Sequence, residues 1–269
     1  MKNERGLAAL YPKADLHNPH QFEQVVQNIR NVYNASPEQV RQAGRQWYPR
    51  VHEAVAKGVK GMGLGQHAQL AGAGLVAALS PGMDFERSNI QAFHELRHVR
   101  QKDWDVIMKH GATGSGQKRH PAVSQVLQGL EIGKAPDVQL LKAHRILRGE
   151  HPEDVIIRQG SPKTHSFMHN INDPTSNRFV TIDGRAHDIG VNRLTPWTYS
   201  GRGISSAALK SGAPTRYEHF QDAYRTAAHL EDEGLGLSMQ AITWEGGKHL
   251  ERAMSGTSKG PRRRGQPYT

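Results

Sequence analysis

The sequence contains no cysteine, and that absence removes disulfides, thiolate zinc sites, iron–sulfur clusters and cysteine nucleophiles together. Long apolar runs are missing too. The longest, Leu70 to Leu79, spans ten residues rich in Ala and Gly, half of the ~20 that a membrane-spanning helix needs. The first residues, MKNERGLAALYPKADLH, hold no apolar core of a secretory signal. Strand signals are scarce: the β-branched stretch Phe179 to Ile182 is too short to seed a sheet. The expectation is a soluble, cytoplasmic chain with no membrane partner.

What is abundant is positive charge. Lys+Arg 35 against Asp+Glu 25 leaves +10, and 16 histidines add to it below neutrality. The end of the chain, SKGPRRRGQPYT, carries Lys259 and Arg262 to Arg264, so removing these four cations still leaves a body at +6. Charge of this sign fits a polyanion such as DNA. A generally basic surface with no nucleic-acid role is the plain alternative. The 269 residues suffice for one large domain or two small ones.

Apolar residues recur at three- and four-residue spacing, which predicts an all-α protein. Ser36-Pro37-Glu38-Gln39 reads as a capping box opening a helix through Val40 and Trp47, kinked at Pro49, to Val55. Gly58 to Gly65 breaks it, and a small-residue helix follows from about Gln66 to Leu79. Further helices are expected at 84–101, 103–110, 121–132, 137–148 and 216–231, with a flexible boundary at 111–121. The predicted organisation is an N-terminal segment (1–35), one domain (36–250) with a hairpin at 152–170, and a basic, disordered tail (251–269).

Residues 150–194 concentrate the chemistry. Pro152 opens a short helix, Glu153 to Arg158, and Gln159-Gly160 makes a tight turn. Ser161 caps a second helix with Pro162 at its first position. The unpaired N–H groups at that start favour an anion, so Gly160, Ser161, Thr164 and His165 are candidate phosphate contacts. Phe179 to Ile182 then delivers Asp183, followed by Arg185 and His187 on another helix start. An aspartate after an apolar run is also, more plainly, a helix cap.

This segment resembles the helix-hairpin-helix DNA glycosylase superfamily. Lys163 lies 20 residues before Asp183, and Ile182-Asp183-Gly184-Arg185-Ala186-His187 runs on to Asn192-Arg193-Leu194. The hairpin Arg158-Gln159-Gly160-Ser161-Pro162 departs from the family's L-P-G-x-G, and His187 stands one residue beyond the usual histidine. The strings SFMHNI, VTIDGRAH and Gln240 to Trp244 resemble proteins of actinobacterial phages, in a branch similar to α-glutamyl/putrescinyl-thymine pyrophosphorylases. The resemblance implies a two-lobed helix-hairpin-helix fold acting on DNA, either double-stranded with an extruded base or single-stranded, in the host cytoplasm if the chain is phage-encoded. It implies Asp183 as the catalytic carboxylate and Lys163 as nucleophile or phosphate contact. Gly160, Ser161, Thr164, His165, Arg185 and His187 would meet DNA, and His169, Trp197 and Trp244 would line a base pocket. No cofactor is expected.

His94-Glu95-Leu96-Arg97-His98 formally matches H-E-x-x-H, which on one helix offers two histidines to zinc and Glu95 to its water. Arg97 puts a fixed charge inside the motif and no third ligand follows at a recognised spacing, so a solvated helix face competes with the metal reading. Gly61-Met62-Gly63-Leu64-Gly65 has no preceding strand, and Gly111 to Lys118 puts Gln117 where a phosphate loop needs its lysine, with no Ser or Thr following; both fail as nucleotide motifs.

Overall fold

The structure, a computed structural model, describes residues 16–81, 83, 88–112, 118–192 and 215–254, and for 251–254 the backbone alone. Every regular element among the described residues is helical, in line with the all-α expectation. In chain order the α-helices are α1 (Pro19–Ala35), α2 (Glu38–Arg45), α3 (Trp47–Gly58), α4 (Ala68–Leu79), α5 (Ile90–Glu95), α6 (Gln101–His110), α7 (Pro121–Val126), α8 (Asp137–Leu147), α9 (Pro152–Val155), α10 (Pro162–Asn172), α11 (Gly184–Gly190), α12 (Arg216–Leu230) and α13 (Gly236–Met254). They fall into two compact units. A discontinuous unit combines the chain up to Arg50 with the chain from Asp173 on; a continuous unit spans Val51–Asn172. The stretch 111–121, expected as a boundary, lies inside the continuous unit.

In the discontinuous unit, residues 19–35 are not a separate segment but a core helix. Asn18 accepts the His20 N–H at 3.0 Å and Pro19, which has no N–H, takes the first helical position, so α1 starts where one orphan donor is bonded and another is missing. Its Val25, Val26, Ile29, Val32 and Tyr33 pack with Ile182, Ile189, Phe220, Tyr224, Met239 and Ile242 into one core. Each fully buried large side chain there contributes roughly 1.5–3 kcal/mol.

Ser36 does not cap α2. Its buried hydroxyl donates back to the Val32 carbonyl at 2.6 Å and closes α1 instead. The expected kink at Pro49 is a full break at Gln46, giving α2 and α3. The reason is steric: a proline ring clashes with the carbonyl four residues earlier, here Arg45, the last residue of α2.

Gly44 lets α2 lie directly on α13, since any Cβ there would press into the Ile242 backbone. Gly44→Ala is therefore expected to destabilise by about 1–3 kcal/mol, although alanine favours a helix by about 1 kcal/mol. A thermal melt checks this; an unchanged or raised melting temperature would show that the two helices separate freely.

In the continuous unit α4 is the central element. Ala71 to Leu79 are all buried, and their small side chains let α5, α8, α9 and α10 pack on one helix. At Gly74 a Cβ would stand 2.9 Å from the Pro152 Cβ, so this glycine seats α9 against α4. The helix expected at 84–101 is shorter: residues 84–87 lie outside those described, α5 tightens into a 3-10 turn at Leu96–His98, and Val99 is extended. The helix expected at 121–132 ends at Val126, with Gly129 in the left-handed region at φ 80° before a 3-10 turn at Glu131–Lys134. The predicted tail from residue 255 on lies outside the described residues.

Candidate functional site

The approach Phe179–Ile182 is a buried segment with no regular secondary structure. With no sheet to join among the described residues, its backbone is bonded by side chains of α12. Tyr217 Oη accepts the Ile182 N–H at 3.0 Å, and Gln221 Nε2 donates to the Val180 carbonyl at 2.8 Å. This pins Asp183, which is extended (φ −94°, ψ −177°) and caps α11: its Oδ1 accepts the Ala186 N–H at 2.7 Å. The helix it starts is itself clamped. Tyr224 Oη donates to the Ala186 carbonyl at 3.0 Å, and Asn28 Nδ2 donates to the Gly190 carbonyl at 2.7 Å.

The second carboxylate oxygen of Asp183 has a distant partner. The Trp244 indole N–H, from α13, donates to Oδ2 at 3.0 Å. The Trp244 ring is half-buried and carries Lys248 Nζ 4.1 Å from its centroid, with the Arg185 guanidinium 5.6 Å away. Trp47, at the start of α3, stands 6.5 Å off at 59°. Asp183, Arg185 and Trp244, all predicted site residues, thus share one cluster with two residues the sequence reading passed over, Trp47 and Lys248. Trp47 was legible only as an apolar helix position, since nothing local ties it to Trp244.

His187 is not available to DNA. It is fully buried, its ring 5.0 Å from Phe220, and its Nδ1 lies 3.5 Å from Asp188 Oδ1. Burial pushes its pKa down from 6.5, with the Asp188 hydrogen bond opposing.

The hairpin belongs to the continuous unit, so Lys163 and Asp183 sit in different units. Its first helix, α9, ends at Val155 rather than Arg158. The turn begins at Ile157, whose carbonyl accepts the N–H groups of Gly160 (3.2 Å) and Ser161 (3.0 Å). Ile157, Arg158, Gln159 and Gly160 are exposed, and Ser161 and Lys163 half-buried. Thr164 and His165 are buried, which removes their side chains from the expected phosphate contacts. His165 instead turns toward His169: their Nε2 atoms are 3.3 Å apart, and His169 Nε2 is also 3.1 Å from Glu153 Oε1. His169 therefore faces a carboxylate and an imidazole rather than a base pocket. Trp197 lies outside the described residues.

One family profile matches residues 12–246, from before α1 to within α13. The chain belongs to the DUF7178 family, a family of unknown function. No curated protein and no solved structure matches it.

In this DUF7178 member the H-E-x-x-H match does not assemble. α5 ends at Glu95 and the 3-10 turn begins at Leu96, so His94 and His98 do not share an α-helical turn. Glu95 is committed elsewhere: Oε2 accepts the Ile132 N–H at 2.9 Å and Oε1 accepts from Gln91 at 3.2 Å. Among the described residues, the metal-capable group that does converge is Glu153, His165 and His169. No helix among them is long and apolar enough to cross a membrane.

Proposed function

We propose that this chain is a DNA-base-acting enzyme of the helix-hairpin-helix glycosylase type, cleaving the N-glycosidic bond of an extruded, modified base. One observation carries the reading: the Trp244 indole N–H holds Asp183 Oδ2 at 3.0 Å, setting an aromatic face beside a fixed carboxylate. Cleavage of the bond builds positive charge on the sugar, and a carboxylate held in place before reaction stabilises that charge without reorganising. A base taken out of the stack needs aromatic faces to receive it, which Trp244 and Trp47 can supply. Arg185, Lys248 and the net charge of +10 suit the phosphate backbone. By resemblance alone Lys163, which belongs to the other unit, is a candidate nucleophile, whose amine would attack C1′ and leave a Schiff base once the base departs. If it grips phosphate instead, water attacks. Modification of a 5-substituted pyrimidine by the same carboxylate is the alternative chemistry.

A second reading has its own observation. Asp183 Oδ1 caps α11 at 2.7 Å, which is all a non-catalytic DNA-binding module would ask of it.

The deciding experiment incubates wild type and Asp183→Asn with plain DNA and with DNAs carrying hydroxymethylated or otherwise altered pyrimidines. Mass spectrometry of free bases and digested nucleosides reads the product. A released base or changed nucleoside with wild type alone is expected. Binding by both proteins with no product on any DNA would sink the enzyme reading and leave the binding module.

A further inference from the structure

The geometry points to a divalent metal site of the zinc type on the hairpin, with Glu153, His165 and His169 as its ligands. The two histidines stand four residues apart on α10 and so share a face. Glu153 reaches them from the first turn of α9, across the turn at 157–160. The three donor atoms lie within 4.8 Å of one another, with His165 Nε2 to His169 Nε2 at 3.3 Å and His169 Nε2 to Glu153 Oε1 at 3.1 Å. A tetrahedral zinc ion with bonds of ~2.0–2.1 Å spaces its ligand atoms by about 3.3–3.4 Å. Two of the three edges already have nearly that length.

The donor chemistry fits as well. An imidazole nitrogen without its proton and a carboxylate oxygen each present a lone pair, and a cation is what three converging lone pairs can share. A His169–Glu153 ion pair joined to a His165–His169 hydrogen bond is the metal-free account of the same two edges, and the titration below separates the two. The ligands are also carried on firm supports, since α9 and α10 both pack on α4. Glu153 has 47% of its side chain exposed and His169 19%, so an ion has a path in. Three protein ligands leave a fourth position for an exchangeable oxygen ligand, the pattern of sites that activate water or hold an anionic oxygen. With no thiolate in the chain, such a site has to be built from histidine and carboxylate, as this one is.

This inference is independent of the reading of Asp183 and is tested without DNA. The full chain, stripped with chelator and dialysed, is titrated with Zn²⁺ by calorimetry and with Co²⁺ by visible absorption. The expected result is one equivalent of either metal, with cobalt bands of the intensity that tetrahedral sites give. Glu153→Gln, at an exposed position, and His169→Gln should each weaken binding at least ~10-fold, with helicity by circular dichroism unchanged. His94→Ala and His98→Ala should bind as wild type does. Substoichiometric uptake by the wild type, unaltered binding in both hairpin variants, or loss of binding in the His94 or His98 variant would each overturn the assignment.

Discussion

Asp183→Asn is expected to lose turnover at least ~100-fold while melting only about 2–4 °C below the wild type. The two effects have separate causes. Asparagine caps a helix as well as aspartate does, so the amide oxygen can keep the Ala186 N–H. Its NH₂ group must then face the Trp244 indole N–H, where Oδ2 accepts now, and two donors oppose each other. Flipping the amide only transfers the conflict to the cap. Losing one hydrogen bond of this kind costs about 1 kcal/mol.

Trp244→Phe removes the opposing N–H, so the double variant Asp183→Asn/Trp244→Phe should melt no lower than Trp244→Phe alone. Turnover should stay lost in that double variant, because the missing element is the charge and not the cap. Activity returning together with stability would reduce Asp183 to a structural residue.

Glu233→Ala is expected to cost about 2–3 kcal/mol, below the ~3–5 of a fully enclosed pair because Arg45 keeps a solvent-facing edge. The carboxylate sits in the turn between α12 and α13 with 7% of its side chain exposed, against 35% for Arg45. It takes the Arg45 Nη2 at 2.6 Å, the Arg45 Nε at 3.0 Å and the Tyr33 hydroxyl at 2.6 Å. Truncation leaves the Tyr33 phenol without this acceptor and the Arg45 guanidinium with Glu38 alone, and it removes one link of α1 and α2 to that turn. The melting temperature should fall by about 5–10 °C.

The same carboxylate makes a pH signature. Burial pushes its pKa up, but the hydrogen bonds from Arg45 and Tyr33 outweigh this and hold it below the ordinary 4.5. A group whose folded pKa is depressed adds stability that is complete above its unfolded value and is lost as pH falls through its folded value. Wild type should therefore shed this contribution below about pH 4.5, and the gap between wild type and Glu233→Ala, followed by urea unfolding, should narrow there. A gap that persists unchanged to low pH would show that the carboxylate is not the group responsible.

How far local sequence reaches is visible at individual residues. Pro162 behind Ser161, Asp183 before Gly184 and the small-residue run of α4 each mark their element correctly. α1 is equally marked by Asn18-Pro19 and by its buried positions at three- and four-residue intervals, although the reading of 1–35 as a bare segment passes over it. Such signals work because a proline's fixed φ, a cap's hydrogen bond and helical periodicity act within a few residues. Ser36 shows the limit. Its hydroxyl can serve the helix on either side, and burial against Val32 decides for the earlier one.

By itself the sequence determined the helical class, the absence of thiol chemistry, the net positive charge and the helix that Asp183 caps. Only the tertiary structure decided which side chains meet. It brought Trp244 to Asp183 across 61 residues, buried His187 against Phe220, withdrew Glu95 to the Ile132 backbone, and set Glu153 beside His165 and His169. Those outcomes depend on helix packing, where burial and long-range hydrogen bonds select one partner among many of equal local propensity.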